Sequence, residues 1–107
     1  MFCRIINGEI ATDFVYQDEE IVVFKDINPK APVHLLIVPK KHLENLNDVE
    51  EIDQPLLGKV LLTAKKMANL EGIDKTGFRL LVNNGSDAGQ IINHLHFHLL
   101  GGKKLDF

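Results

Sequence analysis

The stretch Asn93-His-Leu-His-Phe-His-Leu-Leu-Gly-Gly102 places a histidine at every second position, with an apolar residue after each one. Alternate side chains of a β-strand point to opposite faces of a sheet, so a strand here would put the three imidazoles on one face and the apolar side chains under a helix. Burial of the apolar face would fix this register, because a slip by one residue would turn every histidine into the core. The stretch predicts a half-buried strand over residues 91–100, with a row of imidazoles roughly 6.6–6.8 Å apart.

The composition is that of one globular domain over residues 1–107, with 45% hydrophobic and 25% charged residues. The net charge of −3 argues against electrostatic binding of nucleic acid, which usually requires a basic face. The single cysteine, Cys3, allows no internal disulfide, and the sequence contains neither a leader segment nor a bilayer-spanning apolar run. We therefore expect a cytoplasmic protein that binds neither nucleic acid nor a membrane.

Short apolar runs and helical periodicity predict the remaining elements. The predicted order is a helical turn over residues 2–7, strands over residues 14–16, 21–24 and 33–38, a short helix around residues 48–52, a long helix over residues 56–68, and strands over residues 78–82 and 91–100. Pro55 suits the first position of the long helix, and Gly72 suits its C-terminal cap. Short links favour antiparallel neighbours, so we predict an α+β fold: a five-stranded antiparallel sheet with one long and one short helix.

The histidine row has three possible interpretations, and the first two leave part of it unexplained. A wet polar face does not need histidine, since Thr, Lys or Glu would be solvated equally well. A zinc ion, with Zn–N bonds of about 2.0–2.1 Å, could use two of the three histidines, with His34 as a further ligand if its strand lies alongside. Positions 94 and 98 would lie roughly 13 Å apart along the strand, which leaves one histidine without a role. We expect no metal and no cofactor.

Catalysis is the third interpretation, in which a row of histidines provides both a nucleophile and a proton donor without carboxylates. A neutral imidazole that donates from one nitrogen to a backbone carbonyl has a lone pair on the other and is a nucleophile. A neighbouring imidazole that is protonated at modest cost can supply a proton to a leaving group. The loop Gly85-Ser-Asp-Ala-Gly-Gln90 leads into the histidines, and its backbone N–H groups can cradle a phosphate. Glycine motifs of the Walker or dinucleotide-binding type are absent.

His94-Leu-His-Phe-His-Leu-Leu100 resembles the His-φ-His-φ-His-φ-φ signature of the histidine triad (HIT) family, in which φ is an apolar residue. Similar segments cover nearly the whole chain, with the second half similar to the Hint branch of the family. They are residues 24–27, 31–34, 36–42, 83, 85–90 and 100–102. The resemblance implies a HIT-like nucleotide-binding fold and a homodimer whose two sheets join edge to edge.

The resemblance also implies a reaction and the residues that carry it out. The family cleaves the bond between the α-phosphorus of a nucleotide and its leaving group, and His96 would be the nucleophile that forms a nucleotidyl-histidine intermediate. His98 would contact the phosphate and leaving group, while His94 and His34 would support this pair by hydrogen bonding. The implied nucleotide contacts are Asp26 to the ribose hydroxyls, Phe24, Ile27 and Ile5 to the base, and Asn83 with the backbone N–H groups of Gly89, Gln90, Ile91 and Ile92 to the phosphate.

Two features depart from the Hint pattern. Ile91 stands where members commonly carry a serine near the phosphate, so a hydroxyl is lost and the preference for a leaving group stays open. The chain reaches Phe107 soon after Gly101-Gly102 without the tryptophan of longer tails, which predicts a more open nucleotide pocket. His42 is interpreted as a surface or helix-start residue and not as a catalytic one.

We expect an enzyme that hydrolyses purine nucleoside phosphoramidates, in which an amine is attached to a nucleotide such as AMP. One alternative is a hydrolase of dinucleoside polyphosphates or of an adenylylated intermediate, which would use the same nucleophile. Another is a nucleotide- or zinc-binding interaction module with little turnover.

Overall fold

The computed structural model describes residues 13–106, in which five strands form one antiparallel sheet in the order β1-β2-β3-β5-β4. The elements are β1 (Phe14–Gln17), β2 (Ile21–Lys25), β3 (Val33–Pro39), α1 (Gln54–Leu70), β4 (Phe78–Leu81) and β5 (Phe97–Gly101). The predicted α+β fold and its antiparallel sheet are confirmed. Two 3₁₀ turns, Leu46–Asp48 and Glu51–Asp53, stand where the sequence predicts a short helix. The predicted turn over residues 2–7, and Ile5 with it, lie outside the described residues.

The main core lies between α1 and one face of the sheet. Helix α1 carries Pro55 in its first turn, where the missing N–H of proline costs no helical hydrogen bond. Its buried side chains recur at helical spacing and pack on the apolar residues of β2, β3 and β5. The helix contributes Leu56, Val60, Thr63, Ala64, Met67 and Ala68. Within residues 13–106, no helix combines the length and apolar character needed to span a bilayer.

The alternation of side chains in and before β5 agrees with the prediction. Leu95, Phe97 and Leu99 are all buried in the cluster that contains the helix. The opposite face of the sheet carries a second and smaller apolar cluster. Its buried members are Val22, Phe24, Leu36 and Val38. This second face, which α1 does not cover, is the face on which a site can form.

Strand β5 is shorter than predicted, and of the three histidines only His98 lies in it. Its ladder with β3 reaches no further than the pair of Ile37 with Phe97. Pro39 ends β3 and has no N–H to donate to the residue that would face it in a longer ladder. Residues 94–96 are attached instead to the segment after β3, where the Leu95 N–H donates to the Leu43 carbonyl at 2.6 Å. The prediction of one strand over residues 91–100 is therefore wrong in its first half.

Candidate active site

His34 on β3 and His98 on β5 meet on the sheet face opposite α1. They take this face because they alternate with the core residues Leu35 and Leu99. Their ring centroids are 5.2 Å apart, and His34 Nε2 lies 2.9 Å from His98 Nδ1. The two histidines are thus joined by a direct hydrogen bond between rings that lie 64 residues apart in the sequence.

A backbone amide fixes the tautomers of this pair. The Lys30 N–H donates to His34 Nδ1 at 3.0 Å, so the single ring proton of neutral His34 must lie on Nε2. That Nε2–H then donates to His98 Nδ1, and the ring proton of neutral His98 consequently lies on its own Nε2. His98 therefore offers an N–H donor from the edge of the ring that does not face His34.

The His96 ring has the opposite tautomer. His96 Nδ1 lies 2.7 Å from the carbonyl oxygen of His94, and because a carbonyl only accepts, Nδ1 must carry the proton. The lone pair of neutral His96 is then on Nε2. The ring centroids of His96 and His98 are 5.1 Å apart. An imidazole with a basic Nε2 therefore neighbours an imidazole with an Nε2–H donor.

His94 supports this arrangement from the interior. Its side chain is 2% exposed, and its Nε2–H donates to the Pro39 carbonyl at 2.8 Å. His94 supports His96 through its backbone carbonyl, which accepts from the His96 ring. His42 is exposed, as the sequence predicts, but its ring contacts the His94 ring with centroids 5.2 Å apart, a contact that the sequence does not reveal.

Burial keeps the supporting rings neutral. Desolvation is the largest cause of the lowered pKa of His34 and of His94, and it lowers the pKa of His98 to about 4, with the imidazole of His96 acting in the same direction. All three rings are then uncharged at pH 7, as the tautomer assignment requires. The expectation of a neighbouring imidazole that is protonated at modest cost does not hold for the resting site.

Asp26 stands directly after β2 and contacts His34. Its backbone N–H donates to the His34 carbonyl at 3.0 Å, and its Oδ1 accepts from the Asn28 N–H at 2.8 Å. The second oxygen, Oδ2, lies 3.4 Å from His34 Nε2. The side chain is 18% exposed, so this carboxylate can still accept hydrogen bonds from a ligand.

The donor atoms of Asp26, His34 and His98 lie within 4.8 Å of one another, close enough to surround a metal ion. A ligating histidine normally donates its second ring N–H to a carbonyl or carboxylate. His34 does the reverse, since its Nδ1 accepts from the Lys30 N–H and its Nε2, which would have to bind the metal, carries the proton. This hydrogen-bonding arrangement does not fit a resident metal ion.

The glycine-rich loop before the histidines is a compact turn. Gly85 and Gly89 flank the 3₁₀ turn Ser86–Ala88 with φ of 87° and 83°, a region that favours glycine. The Gly89 N–H donates to the Ser86 carbonyl at 3.0 Å, and the Gln90 N–H donates to the Gly85 carbonyl at 3.1 Å. The N–H groups of Gly89 and Gln90 thus form hydrogen bonds within the loop. Of the four backbone N–H groups predicted to bind phosphate, those of residues 91 and 92 remain as candidates.

Gln90 holds the loop through its side chain, a role that the sequence does not reveal. Its Oε1 accepts from the Gly85 N–H at 2.8 Å, and its Nε2 donates to the carbonyls of Glu44 at 2.7 Å and Ile92 at 2.9 Å. One amide thereby joins both ends of the loop to the segment that follows β3. Only the capacity of glutamine for two donors and an acceptor hints at this in the sequence.

The predicted apolar contacts are divided between the sheet and the solvent. Phe24 is buried in the cluster on the site face, and Ile92 packs against the same cluster. Ile27 and Ile91 are 83% and 92% exposed. Asn83 is partly buried at the start of the loop. The structure therefore brings Asp26 and the four predicted histidines together and leaves the side chains of Ile27 and Ile91 open to a ligand or to water.

Comparisons with known proteins agree with this geometry. Residues 7–105 match the family model described as the HIT domain. The chain is 43% identical over 105 residues to the purine nucleoside phosphoramidase of Escherichia coli, an alignment that covers 98% of this chain and 88% of the relative. A HIT family hydrolase from Legionella pneumophila has a similar structure, with a TM-score of 0.97 and 47% identity over 100% of this chain and 96% of the other. A histidine triad nucleotide-binding protein from Candida albicans matches with a TM-score of 0.83 and 31% identity, covering 99% and 82% of the two chains.

Proposed function

The chain belongs to the HIT family, and on that premise we propose that it is a nucleotide hydrolase acting at the α-phosphorus, with purine nucleoside phosphoramidates as its substrates. The observation that carries the proposal is the hydrogen bond from His96 Nδ1 to the His94 carbonyl, which places a lone pair on His96 Nε2. The similarity to a purine nucleoside phosphoramidase supports the substrate class.

The proposed reaction has two steps, transfer of the nucleotidyl group to His96 and its hydrolysis by water. His96 Nε2 gives its electron pair to the α-phosphorus as the phosphorus–nitrogen bond breaks, and the departing nitrogen takes one proton from solvent to leave as an amine. The nucleotidyl-imidazole keeps its proton on Nδ1, which continues to donate to the His94 carbonyl. Water then attacks phosphorus, returns the electron pair to Nε2 and releases one proton to solvent, which balances the proton taken up by the amine.

The neighbouring groups would stabilise the charge that develops at phosphorus. The Nε2–H of His98 would donate to a phosphoryl oxygen or to the leaving group, as a preorganised donor in a partly dry site. The amides of residues 91 and 92, with the Asn83 side chain, would bind the remaining oxygens. Asp26 would accept from the ribose hydroxyls, and Phe24 and Ile27 would contact the base.

The test of this proposal is His96→Asn assayed on adenosine 5′-phosphoramidate. We expect kcat to fall by at least about a thousandfold, as when a nucleophile is removed from other covalent hydrolases. His42→Asn is the matched control, because His42 is exposed and lies outside the predicted machinery. Thermal unfolding of both variants separates loss of chemistry from loss of fold. Wild-type turnover by a folded His96→Asn would remove His96 from its role.

The alternatives from the sequence are separated by the same assay format. Dinucleoside polyphosphates would use the same nucleophile, and a side-by-side panel with phosphoramidates ranks the two substrate classes by kcat/KM. A zinc-binding module is not supported by the proton on His34 Nε2, and the absence of turnover on every nucleotide in the panel would revive a binding role.

A homodimer that joins the two sheets edge to edge is part of the proposal. β4 stands at the edge of the sheet, where it pairs only with β5 among the described strands, and Phe78 on it is 41% exposed. An open strand edge beside an exposed aromatic side chain suits pairing with a second copy. Light scattering coupled to gel filtration tests the homodimer by measuring the mass of the protein in solution. The cytoplasmic location stays a prediction.

A further inference from the structure

One proton in the site has two acceptors. His34 Nε2–H lies 2.9 Å from His98 Nδ1 and 3.4 Å from Asp26 Oδ2. The shorter distance favours the imidazole, whereas the negative charge favours the carboxylate, since hydrogen bonds to an ionised acceptor are the stronger ones. The His34 side chain is 3% exposed, so water cannot easily replace either partner.

The choice of acceptor decides the tautomer of His98. While His34 donates to His98 Nδ1, the proton of neutral His98 is held on Nε2, where it can donate to a phosphoryl group. If His34 turns its proton to Asp26, His98 Nδ1 loses its donor. Neutral His98 can then exchange with solvent to the tautomer that has no proton on Nε2.

We propose that Asp26 is a positioning residue as well as a sugar contact, so that ribose hydroxyls bound to it direct the His34 proton to His98 and thereby raise the rate of the chemical step. Hydroxyl groups that donate to the carboxylate occupy its lone pairs and weaken its attraction for His34. The inference rests on the proposed function, because it takes Asp26 to be the ribose contact. It assigns the substrate class as ribonucleotides, distinguished by turnover and not only by affinity.

The experiment compares adenosine 5′-phosphoramidate with its 2′,3′-dideoxy analogue. For the wild-type protein we expect loss of the hydroxyls to lower kcat by roughly 2- to 12-fold, the worth of one net hydrogen bond, in addition to raising KM. In His34→Phe the ratio of the two kcat values should fall to about 1, whereas KM should still depend on the sugar because Asp26 remains. His42→Phe is the matched histidine substitution and should keep the wild-type ratio.

Asp26→Asn provides a second test, because this substitution should raise kcat on the dideoxy analogue. A neutral amide competes less well for the His34 proton, so this variant should turn over the dideoxy analogue with a higher kcat than the wild-type protein does. The tautomer of His98 can also be observed directly, by long-range ¹H–¹⁵N spectra of histidine-labelled protein saturated with AMP or with 2′,3′-dideoxy-AMP. We expect a larger Nε2–H fraction for His98 with AMP.

The outcomes separate the inference from the proposed function. Turnover of both analogues with a difference in KM alone would overturn the coupling and leave the hydrolase proposal standing. Failure to turn over either analogue would overturn the hydrolase proposal, and the spectra with bound AMP would then decide the coupling. An unchanged His98 tautomer, or no binding of AMP, would overturn it.

Discussion

Mild acid should destabilise this protein at a pH where carboxylates are still ionised. Burial lowers the pKa of His98 to about 4 and also lowers those of His34 and His94. In the unfolded chain a histidine takes up its proton near pH 6.5, so between that pH and the folded pKa the unfolded state binds more protons and stability falls as pH falls. For His98 alone the loss between pH 7 and pH 5 is roughly 2 kcal/mol. His34 and His94 add to the loss in the same direction.

The assay is urea unfolding at pH 7, 6 and 5, with the slope of unfolding free energy against pH giving the protons taken up on unfolding. We expect uptake of more than one proton near pH 5.5. His98→Asn should reduce it by about one proton. Uptake below one proton would refute the claim that these rings are buried and neutral.

The buried carboxylate of Asp53 does not account for a loss of stability in this pH window. The buried Asp53 has a lowered pKa, chiefly because the Lys41 ammonium donates to it at 2.6 Å and the Glu50 N–H also donates to it. Its folded pKa lies below the unfolded value of about 3.9, so its contribution is lost only at more acid pH. A loss centred near pH 4 or below would therefore point to carboxylates and contradict the assignment to histidines.

Three further outcomes test single features of the site. Gln90→Ala removes three hydrogen bonds and should lower the free energy of unfolding by about 1–3 kcal/mol. It should also lower kcat/KM more than the control Asn84→Ala, which removes the bond from the Leu46 N–H. Equal losses of kcat/KM in the two variants would contradict the positioning role of Gln90. Ile91→Ser, which restores a hydroxyl at an exposed position, should change the kcat/KM ratio between two amine leaving groups by roughly 2- to 12-fold, and an unchanged ratio would place this residue away from the leaving group. Calorimetric titration with zinc should show no stoichiometric site, because His34 Nε2 is protonated, and one bound zinc per chain would contradict the tautomer assignment.

The sheet and the long helix are predictable because the local spacing of apolar residues indicates each of them. The apolar residues of α1 recur at helical spacing, and those at 95, 97 and 99 recur at strand spacing, and all of them enter one core. The face on which His98 stands follows from the same alternation. These features depend on which side of an element is buried, and a sequence shows that directly.

The contacts that set the chemistry depend on register between distant segments, which local patterns do not contain. The position of Pro39 can be read from the sequence, but its consequence for β5 depends on the pairing of Ile37 with Phe97. The Lys30 N–H that fixes the tautomers of His34 and His98 belongs to a loop, and the amino-acid sequence does not show that this N–H donates to His34. The side chain of Gln90 likewise joins three backbone groups that are close only in the folded chain.

The shortened β5 is the feature that makes the His96 tautomer possible. Within a regular strand the carbonyl oxygens of the backbone point sideways to neighbouring strands, where ladder hydrogen bonds occupy them. Residues 94–96 lie outside β5, whose ladder with β4 ends at the pair of Leu81 with His98, and the His94 carbonyl is therefore available to accept from the ring of His96, two residues further on. If β5 had included residue 94, a neighbouring strand could have occupied the His94 carbonyl. No backbone acceptor would then have fixed the proton of His96 on Nδ1. Alternation selects the face on which His98 stands, and the start of β5 at Phe97 leaves the His94 carbonyl to hold the ring proton of His96 on Nδ1.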